Sequence, residues 1–338
     1  MSWRGRVLKP LVFYTVTLTP LLVLVGIVLY LLFLTNLPQR LYTDSIRNIF
    51  FDCVQFVPED YVYKMKPGGC RVKNIEYDVV LTHDADGFRN GAVAPPYEVA
   101  VLGDSFAHGI GVGDDQTFSH LLSSRYHYRV RNLAIGSYAT MRELDVLKQY
   151  GGDAKYVVLQ YCSNDGAENE LSVTLPQDAF RAQVETRWKT LIVTYNKGKA
   201  SGYRKPMTDL LTMIRTGAYS SKAAWRQSFE VRDTSLEASY VAQIFARYQD
   251  VLKGRRLVIL EASAWASNSA WFDAAFRPEL ARLGWLSYRV INTARILDRG
   301  DYFFLDDHVN SGGHRKLAAV IAEEIARWER ADPVLRRP

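Results

Sequence analysis

The sequence lacks most features that would assign it to a specialised class. Three cysteines in 338 residues are too few for a disulfide scaffold. Its 22 glycines and 12 prolines are ordinary numbers and exclude collagen-like and low-complexity chains. There is no tandem repeat, which argues against solenoids and propellers. The sequence has neither a His-Glu-x-x-His motif nor a Cys/His cluster, so we expect no metal and no cofactor.

Positive charge is concentrated at the two ends of the chain. The net charge is +6, from 42 basic and 36 acidic residues. Three basic residues, Arg4, Arg6 and Lys9, lie at the N-terminus. Four arginines lie in residues 327–338, a range that ends in the basic tail, residues 331–338. Two basic ends are not the continuous basic surface typical of nucleic-acid binding. We therefore predict no nucleic-acid partner.

An uncharged stretch follows the basic N-terminus, from Pro10 to Gln39. Its apolar core, residues 11–34, would form a helix ~36 Å long, enough to cross a ~30 Å hydrocarbon layer. We predict one transmembrane helix over residues 10–36, with residues 1–9 cytoplasmic and the remainder on the periplasmic side. The alternative is a cleaved signal peptide, but the run is longer than usual and no small-x-small cleavage site follows it.

Residues 37–96 are predicted to form a stalk and a small β-rich lead-in, from short strand patterns and a turn at Asp84–Gly87. Outside the cell, cysteines can pair. Cys53 and Cys70 lie 17 residues apart and are candidates for a disulfide, which would leave Cys162 as a free thiol. The alternative is three unpaired cysteines that behave as small hydrophobic residues.

Strand and helix patterns alternate in the remainder of the chain. Alternation of this kind predicts crossover units and an α/β fold with a parallel sheet in three layers. The predicted strands are Glu98–Leu102, Arg129–Ala134, Tyr156–Tyr161, Leu257–Glu261 and Tyr288–Asn292. The predicted helices are Thr117–Arg125, Met141–Tyr150, Trp271–Leu283 and Gly313–Glu329.

A gap of about 95 residues separates the third predicted strand from the fourth, far more than a crossover needs. Helical patterns over 177–194, 205–215, 219–229 and 235–252 predict a helical cap inserted over about 171–256. Between Arg187 and Arg226 the sequence carries nine basic residues, one acid and interleaved aromatic residues. One interpretation is a basic lid for an anionic glycan or lipid headgroups; the other is the solvated face of amphipathic helices.

Four short residue groups follow predicted strands or precede the last predicted helix. Ser105 comes directly after the first strand, Gly136 after the second and Asn164 after the third, while Asp306 and His308 precede the last helix. Because the carboxyl ends of parallel strands share one edge of a sheet, we expect these groups to gather there.

In this order the four groups resemble the motif blocks of the SGNH subset of the GDSL hydrolases. The resemblance covers about 98–170 and 257–326, and Gly87-Phe88-Arg89 is also similar to a segment of membrane-anchored members. It implies a flavodoxin-like SGNH-hydrolase domain over 97–330. In that domain Ser105 would be the nucleophile, His308 the base and Asp306 the residue that orients it, with Asp307 as the less favoured acid.

The resemblance also implies an oxyanion hole formed by Ser105, Gly136 and Asn164. The sequence departs from the family pattern just before Asn164, where Cys162 and Ser163 replace the usual glycine. This difference puts the geometry of the third donor in question.

The resemblance implies ester chemistry through an acyl-serine, as an esterase or an O-acyltransferase. Membrane-anchored members often act on acetyl groups of envelope or exported glycans, some of them beside a multi-span acyl-donor membrane protein. Alternatives are a lipase or thioesterase, or a catalytically silent SGNH module that binds glycan or scaffolds a complex. The sequence does not identify substrate-binding residues.

Overall fold

The computed structural model describes residues 3–34, 50–73, 76–90, 95–201, 234–264, 267–303 and 306–332. Helix α1 runs from Trp3 to Leu34 and contains most of the segment predicted to cross a membrane, residues 10–36. Its side chains are described for residues 14–30. In the described part of the chain, no helix combines the length and the apolar character needed to cross a bilayer. The structure therefore does not confirm the predicted anchor.

Residues 50–90, which we call the lead-in, form two antiparallel hairpins. Strand β1 (Val54–Phe56) pairs with β2 (Tyr63–Met65), and β3 (Gly68–Lys73) pairs with β4 (Asp78–His83). A disulfide joins Cys53 to Cys70, whose Cα atoms lie 5.9 Å apart, and Cys162 is free and buried. Tyr63 and Met65 belong to the main hydrophobic core. The lead-in is thus packed onto the α/β domain; most of the predicted stalk lies outside the described residues.

In the described residues, five parallel strands form the central sheet. They are β5 (Val99–Leu102), β6 (Val130–Asn132), β7 (Tyr156–Tyr161), β8 (Arg256–Glu261) and β9 (Ser287–Ile291), in the order β6-β5-β7-β8-β9. Counted from β5 this order is 2-1-3-4-5, the flavodoxin-like arrangement. The five predicted strands are therefore confirmed, and with them the parallel sheet.

Helices cover both faces of this sheet because alternate side chains of each strand point to opposite sides. Ala100 and Leu102 pack in one core, and Val99 and Val101 in the other. The first core also contains side chains of α4 (Thr140–Tyr150), α7 (Ser235–Arg247) and α9 (Phe272–Ala281). The second contains side chains of α3 (Phe118–Ser124) and α10 (Ser311–Ala331). The shorter or peripheral helices are α2 (Ser105–His108), α5 (Gly166–Thr174), α6 (Gln177–Ser201) and α8 (Gln249–Leu252).

The predicted cap over 171–256 is only partly described. Helix α6 contains the pattern predicted for 177–194, whereas 205–215, 219–229 and the basic stretch beyond Ser201 lie outside the described residues. Residues 235–252 form α7 and α8, and Val241 and Phe245 of α7 are buried in the main core. Helix α7 therefore packs in the same core as one face of the sheet, and the extent of the cap stays a prediction. Trp188 is buried too, with its ring 5.3 Å from that of Tyr63.

Candidate active site

Ser105 is presented by a tight turn at the carboxyl end of β5. Gly103 has φ +147°, and a Cβ there would lie 2.5 Å from Oε1 of Gln160, so the turn requires glycine. The same Oε1 accepts hydrogen bonds from the backbone N–H groups of Asp104 and Ala107, both at 3.1 Å. Gln160 is fully buried on β7, the neighbouring strand. The central sheet itself therefore holds the turn that places Ser105 at the first position of α2.

The structure brings Ser105, His308 and Asp306 together in one hydrogen-bonded row. Oγ of Ser105 lies 2.8 Å from Nε2 of His308, and Nδ1 of His308 is hydrogen-bonded to Oδ1 of Asp306. All three residues are buried, with Ser105 8% exposed. The ring of Phe106 lies against that of His308, with centroids 4.7 Å apart. This is the arrangement in which a histidine can remove a proton from a serine hydroxyl.

Asp307, the less favoured acid, does not take part in this row. Its carboxylate faces Arg299, with Oδ1 3.8 Å from Nη2. Its own backbone has φ +65°, a left-handed conformation that turns the chain between Asp306 and His308. The backbone N–H of Phe303 donates to the carbonyl of His308 at 2.9 Å, and this bond holds the loop on the C-terminal side of Asp307.

The two other predicted blocks follow the strands on either side of β5. Gly136 is buried after β6, and its carbonyl accepts a hydrogen bond from the hydroxyl of Tyr63 at 2.7 Å. Asn164 is exposed in the turn after β7, where Oδ2 of Asp165 accepts from the N–H of Cys162 at 2.8 Å. The N–H of Ser163 donates to Oγ of Ser263 at 2.8 Å. Side-chain hydrogen bonds thus hold the turn in which Cys162 and Ser163 replace the family's glycine.

Three buried carboxyl groups carry unusual proton affinities. Burial raises the pKa of Asp104, Glu143 and Asp165, and repulsion from Asp104 raises the pKa of Glu143 and Asp165 further. Asp104 also caps α2 by accepting from the N–H of Phe106 at 2.9 Å, a bond that opposes the rise. Each of the three shifts favours the neutral carboxyl over the carboxylate. In the described residues, no group of His, Cys, Asp and Glu has the arrangement of a metal site.

The lead-in supplies contacts that sequence reasoning missed. The hydroxyl of Tyr77 donates to Oδ2 of Asp306 at 2.7 Å, and Oε2 of Glu76 accepts from the N–H of Asp306 at 2.8 Å. Arg89 donates to the carbonyls of the turn after α2, that of His108 among them at 2.8 Å. From the sequence, Gly87-Phe88-Arg89 is recognisable only as similar to a segment of membrane-anchored SGNH members, and its contacts with α2 are not. No local pattern connects residue 77 with residue 306.

Comparisons with known proteins find several solved structures at low sequence identity. No protein-family description and no curated protein matches the sequence. Among solved structures, TesA is 15% identical with a TM-score of 0.38, over 70% of this chain and 99% of that one. A family 2 carbohydrate esterase with a carbohydrate-binding domain, from Corynascus thermopiles (Myceliophthora fergusii), is 14% identical with a TM-score of 0.40, over 76% and 71%.

A third structure is a carbohydrate esterase whose active site displays divergent catalytic and non-catalytic binding functions. It is 10% identical with a TM-score of 0.35, over 69% of this chain and 66% of that one. The 2-1-3-4-5 parallel sheet, Ser105 in the turn after β5 and His308 before the last helix together agree with the fold that the resemblance to the SGNH hydrolases implies.

Proposed function

We propose that this protein is a serine enzyme that transfers acyl groups from esters through an acyl-serine. The observation that carries the proposal is the hydrogen-bonded row of Ser105, His308 and Asp306 at the edge where α/β sheets place their ligands. A serine hydroxyl is a weak nucleophile until a base removes its proton. Nε2 of His308 is within hydrogen-bond distance to do so, and Asp306 holds the imidazole in the tautomer in which Nε2 is the proton acceptor.

The reaction has two halves. Oγ of Ser105 attacks the ester carbonyl while Nε2 of His308 takes its proton, and the tetrahedral intermediate collapses as His308 returns that proton to the leaving alcohol. In the second half, His308 deprotonates water or a sugar hydroxyl, which attacks the carbonyl of the acyl-serine. The bond to Oγ then breaks as His308 returns the proton to Ser105, and the acyl group leaves as the free acid or as the new sugar ester. Water as acceptor gives an esterase, and a sugar hydroxyl gives an O-acyltransferase.

The oxyanion formed in each half needs hydrogen-bond donors. We assign this role to the N–H groups of Ser105 and Gly136 and to the side-chain amide of Asn164. Two observations support the assignment: these residues follow three adjacent strands, and side-chain hydrogen bonds hold the loops of Gly136 and Asn164. Losing one such donor typically lowers the rate by about 10²–10³.

The substrate we favour is a short acyl group, such as acetyl, on an envelope or exported glycan. Ser105 is 8% exposed and the ring of Phe106 lies against that of His308, and we take a nucleophile confined in this way to favour a short acyl group. For that reason we place a lipase or thioesterase second. A silent SGNH module that binds glycan or scaffolds a complex is the third possibility, and the intact row of three residues argues against it.

We further propose that residues 10–36 anchor the protein in a bilayer, with residues 1–9 cytoplasmic and the catalytic domain in the periplasm; the proposal rests on the sequence of this whole segment, since the described part of α1 alone does not meet the length and apolar character needed. The uncharged stretch from Pro10 to Gln39 supports this, as do the large apolar side chains of residues 14–30, which are about half exposed or more. The disulfide Cys53–Cys70 favours an oxidising compartment. As an O-acyltransferase the protein would need an acyl donor, for which a multi-span membrane partner is the family precedent.

The test is hydrolysis of p-nitrophenyl acetate by the full chain in detergent, together with labelling by a fluorophosphonate probe. Ser105→Ala and His308→Ala should lower turnover by about 10⁴–10⁶, and Ser105→Ala should abolish labelling. Asp306→Asn tests the acid that orients His308. Asp307→Asn is its matched control and should stay close to wild type. Labelling without hydrolysis would assign an acyltransferase, to be tested with an acetylated glycan and an acceptor sugar.

Two results would refute the mechanism. One is a wild-type hydrolysis rate that survives Ser105→Ala unchanged. The other is a wild-type chain that neither hydrolyses acetyl esters, nor transfers acetyl groups between glycans, nor reacts with the probe, which would point to the silent module.

A further inference from the structure

From the contacts of the lead-in we infer that Tyr77 is a positioning residue of the catalytic row, and that the lead-in completes the active site. The inference deepens the proposed function and rests on it. Oδ1 of Asp306 is hydrogen-bonded to Nδ1 of His308, while Oδ2 accepts from the hydroxyl of Tyr77 at 2.7 Å. The carboxylate is therefore held between a phenol and an imidazole, and Tyr77 fixes its rotation about the Cβ–Cγ bond.

The backbone of Asp306 is held by the same segment of the lead-in. Its N–H donates to Oε2 of Glu76, the residue before Tyr77, at 2.8 Å. Two consecutive residues of the lead-in thus bind the side chain and the main chain of one residue about 230 positions later in the sequence. A pair of contacts of this kind fixes both the position and the orientation of the acid.

Tyr77 is itself tightly placed. The residue is 8% exposed, and its ring centroid lies 5.0 Å from that of Phe303. The ring also packs on Gly111, where an added Cβ would lie only 2.8 Å from Cε1 of Tyr77. The hydroxyl of a ring confined in this way has little freedom to move away from Asp306.

The lead-in also grips the segment that follows the nucleophile. Nη1 of Arg89 donates to the carbonyls of His108 and Gly109 at 2.8 and 2.5 Å, and Nη2 donates to that of Val112 at 2.6 Å. Nε2 of His83 lies 2.9 Å from Nε2 of His108, the last residue of α2. One folded unit therefore contacts both the helix that begins at Ser105 and the acid that orients His308, and so sets their relative position.

The physical consequence concerns kcat. Tyr77 touches the acid and not the reacting atoms, so its hydroxyl affects the step in which His308 moves a proton. A hydrogen bond to a charged group is among the stronger ones, and its loss corresponds to roughly a 10- to 100-fold effect. Because orientation of the imidazole matters only once substrate is bound, KM should change little.

The experiment compares Tyr77→Phe with wild type in the full chain, by acetyl-ester kinetics and by the rate of fluorophosphonate labelling. Tyr77→Phe keeps the ring that packs on Phe303 and Gly111 and removes only the hydroxyl. We expect kcat to fall about 10- to 100-fold, with KM within about twofold and the Tm close to that of wild type. The matched control is Tyr61→Phe, a lead-in tyrosine whose hydroxyl lies 3.4 Å from that of Tyr150, away from Asp306.

A double-mutant cycle separates positioning from a general structural role. In the Asp306→Asn background, Tyr77→Phe should produce little further loss of labelling rate, because the residue through which it acts is already altered. An equal loss in both backgrounds, a loss confined to KM, or wild-type kcat in Tyr77→Phe would each overturn the inference. In the last case an inactive Ser105→Ala would leave the proposed function standing, whereas an active Ser105→Ala would refute that function itself.

Discussion

The ion pair between Arg142 and Glu168 offers a stability test whose size follows from the structure. Nε of Arg142 lies 2.6 Å from Oε1 of Glu168, and Nη2 lies 2.9 Å from Oε2. The side chains are 0% and 6% exposed. Nη2 also donates to the carbonyl of Ser137, at 2.5 Å, beside Gly136. The pair thus supports the loop proposed to supply an oxyanion donor.

Replacing Arg142 with Met leaves the Glu168 carboxylate buried without its cation. Breaking a buried pair on one side typically costs about 3–5 kcal/mol, because an uncompensated charge remains. In a domain of this size we expect a fall in Tm of roughly 10 °C. The double variant Arg142→Met/Glu168→Gln removes the buried charge and should recover part of the loss.

The assay is thermal unfolding of the full chain, followed by intrinsic fluorescence, with acetyl-ester kinetics on the same samples. Arg71→Met is the matched control, since Arg71 makes the same two-bond contact with Asp78, at 2.7 and 2.6 Å, on the exposed hairpin. Solvent screens that pair, so the control should stay close to wild type. A change in Arg142→Met as small as in the control, or a double variant no more stable than the single one, would refute the reasoning.

Two further predictions concern the nucleophile turn and a buried histidine. Gly103→Ala should lower both Tm and turnover, because its Cβ would meet the buried Gln160 side chain at 2.5 Å; Gly284→Ala, whose Cβ would meet nothing within 4 Å, should change neither. Burial lowers the pKa of His83 from 6.5 to about 4, so between these values the unfolded chain binds a proton that the folded chain does not. This contribution to stability is intact above pH 6.5 and is lost as pH falls toward 4. The Tm of wild type should therefore fall relative to that of His83→Gln over this range, and parallel curves would contradict the assignment.

Local patterns predicted the elements of the fold well. The strands of the central sheet are short apolar segments such as Tyr156–Tyr161, buried on both faces, and such segments are recognisable without a partner. The nucleophile turn was recognisable too, because Gly103 and Ser105 follow a strand directly. The assignment of 235–252 to a cap stays a prediction, since a helix on the sheet and a helix in a cap can show the same apolar spacing.

The sequence by itself determined the alternation of strands and helices and the order of the four blocks, because both depend on spacing along the chain. The choice of Ser105, Asp306 and His308 followed from the resemblance that this order carries. Only the tertiary structure decided that Tyr77 and Glu76 bind Asp306, that Tyr63 binds the Gly136 loop, and that α7 lies on the sheet. These contacts join residues far apart in sequence, and they arise from how the lead-in and the helices pack around the sheet.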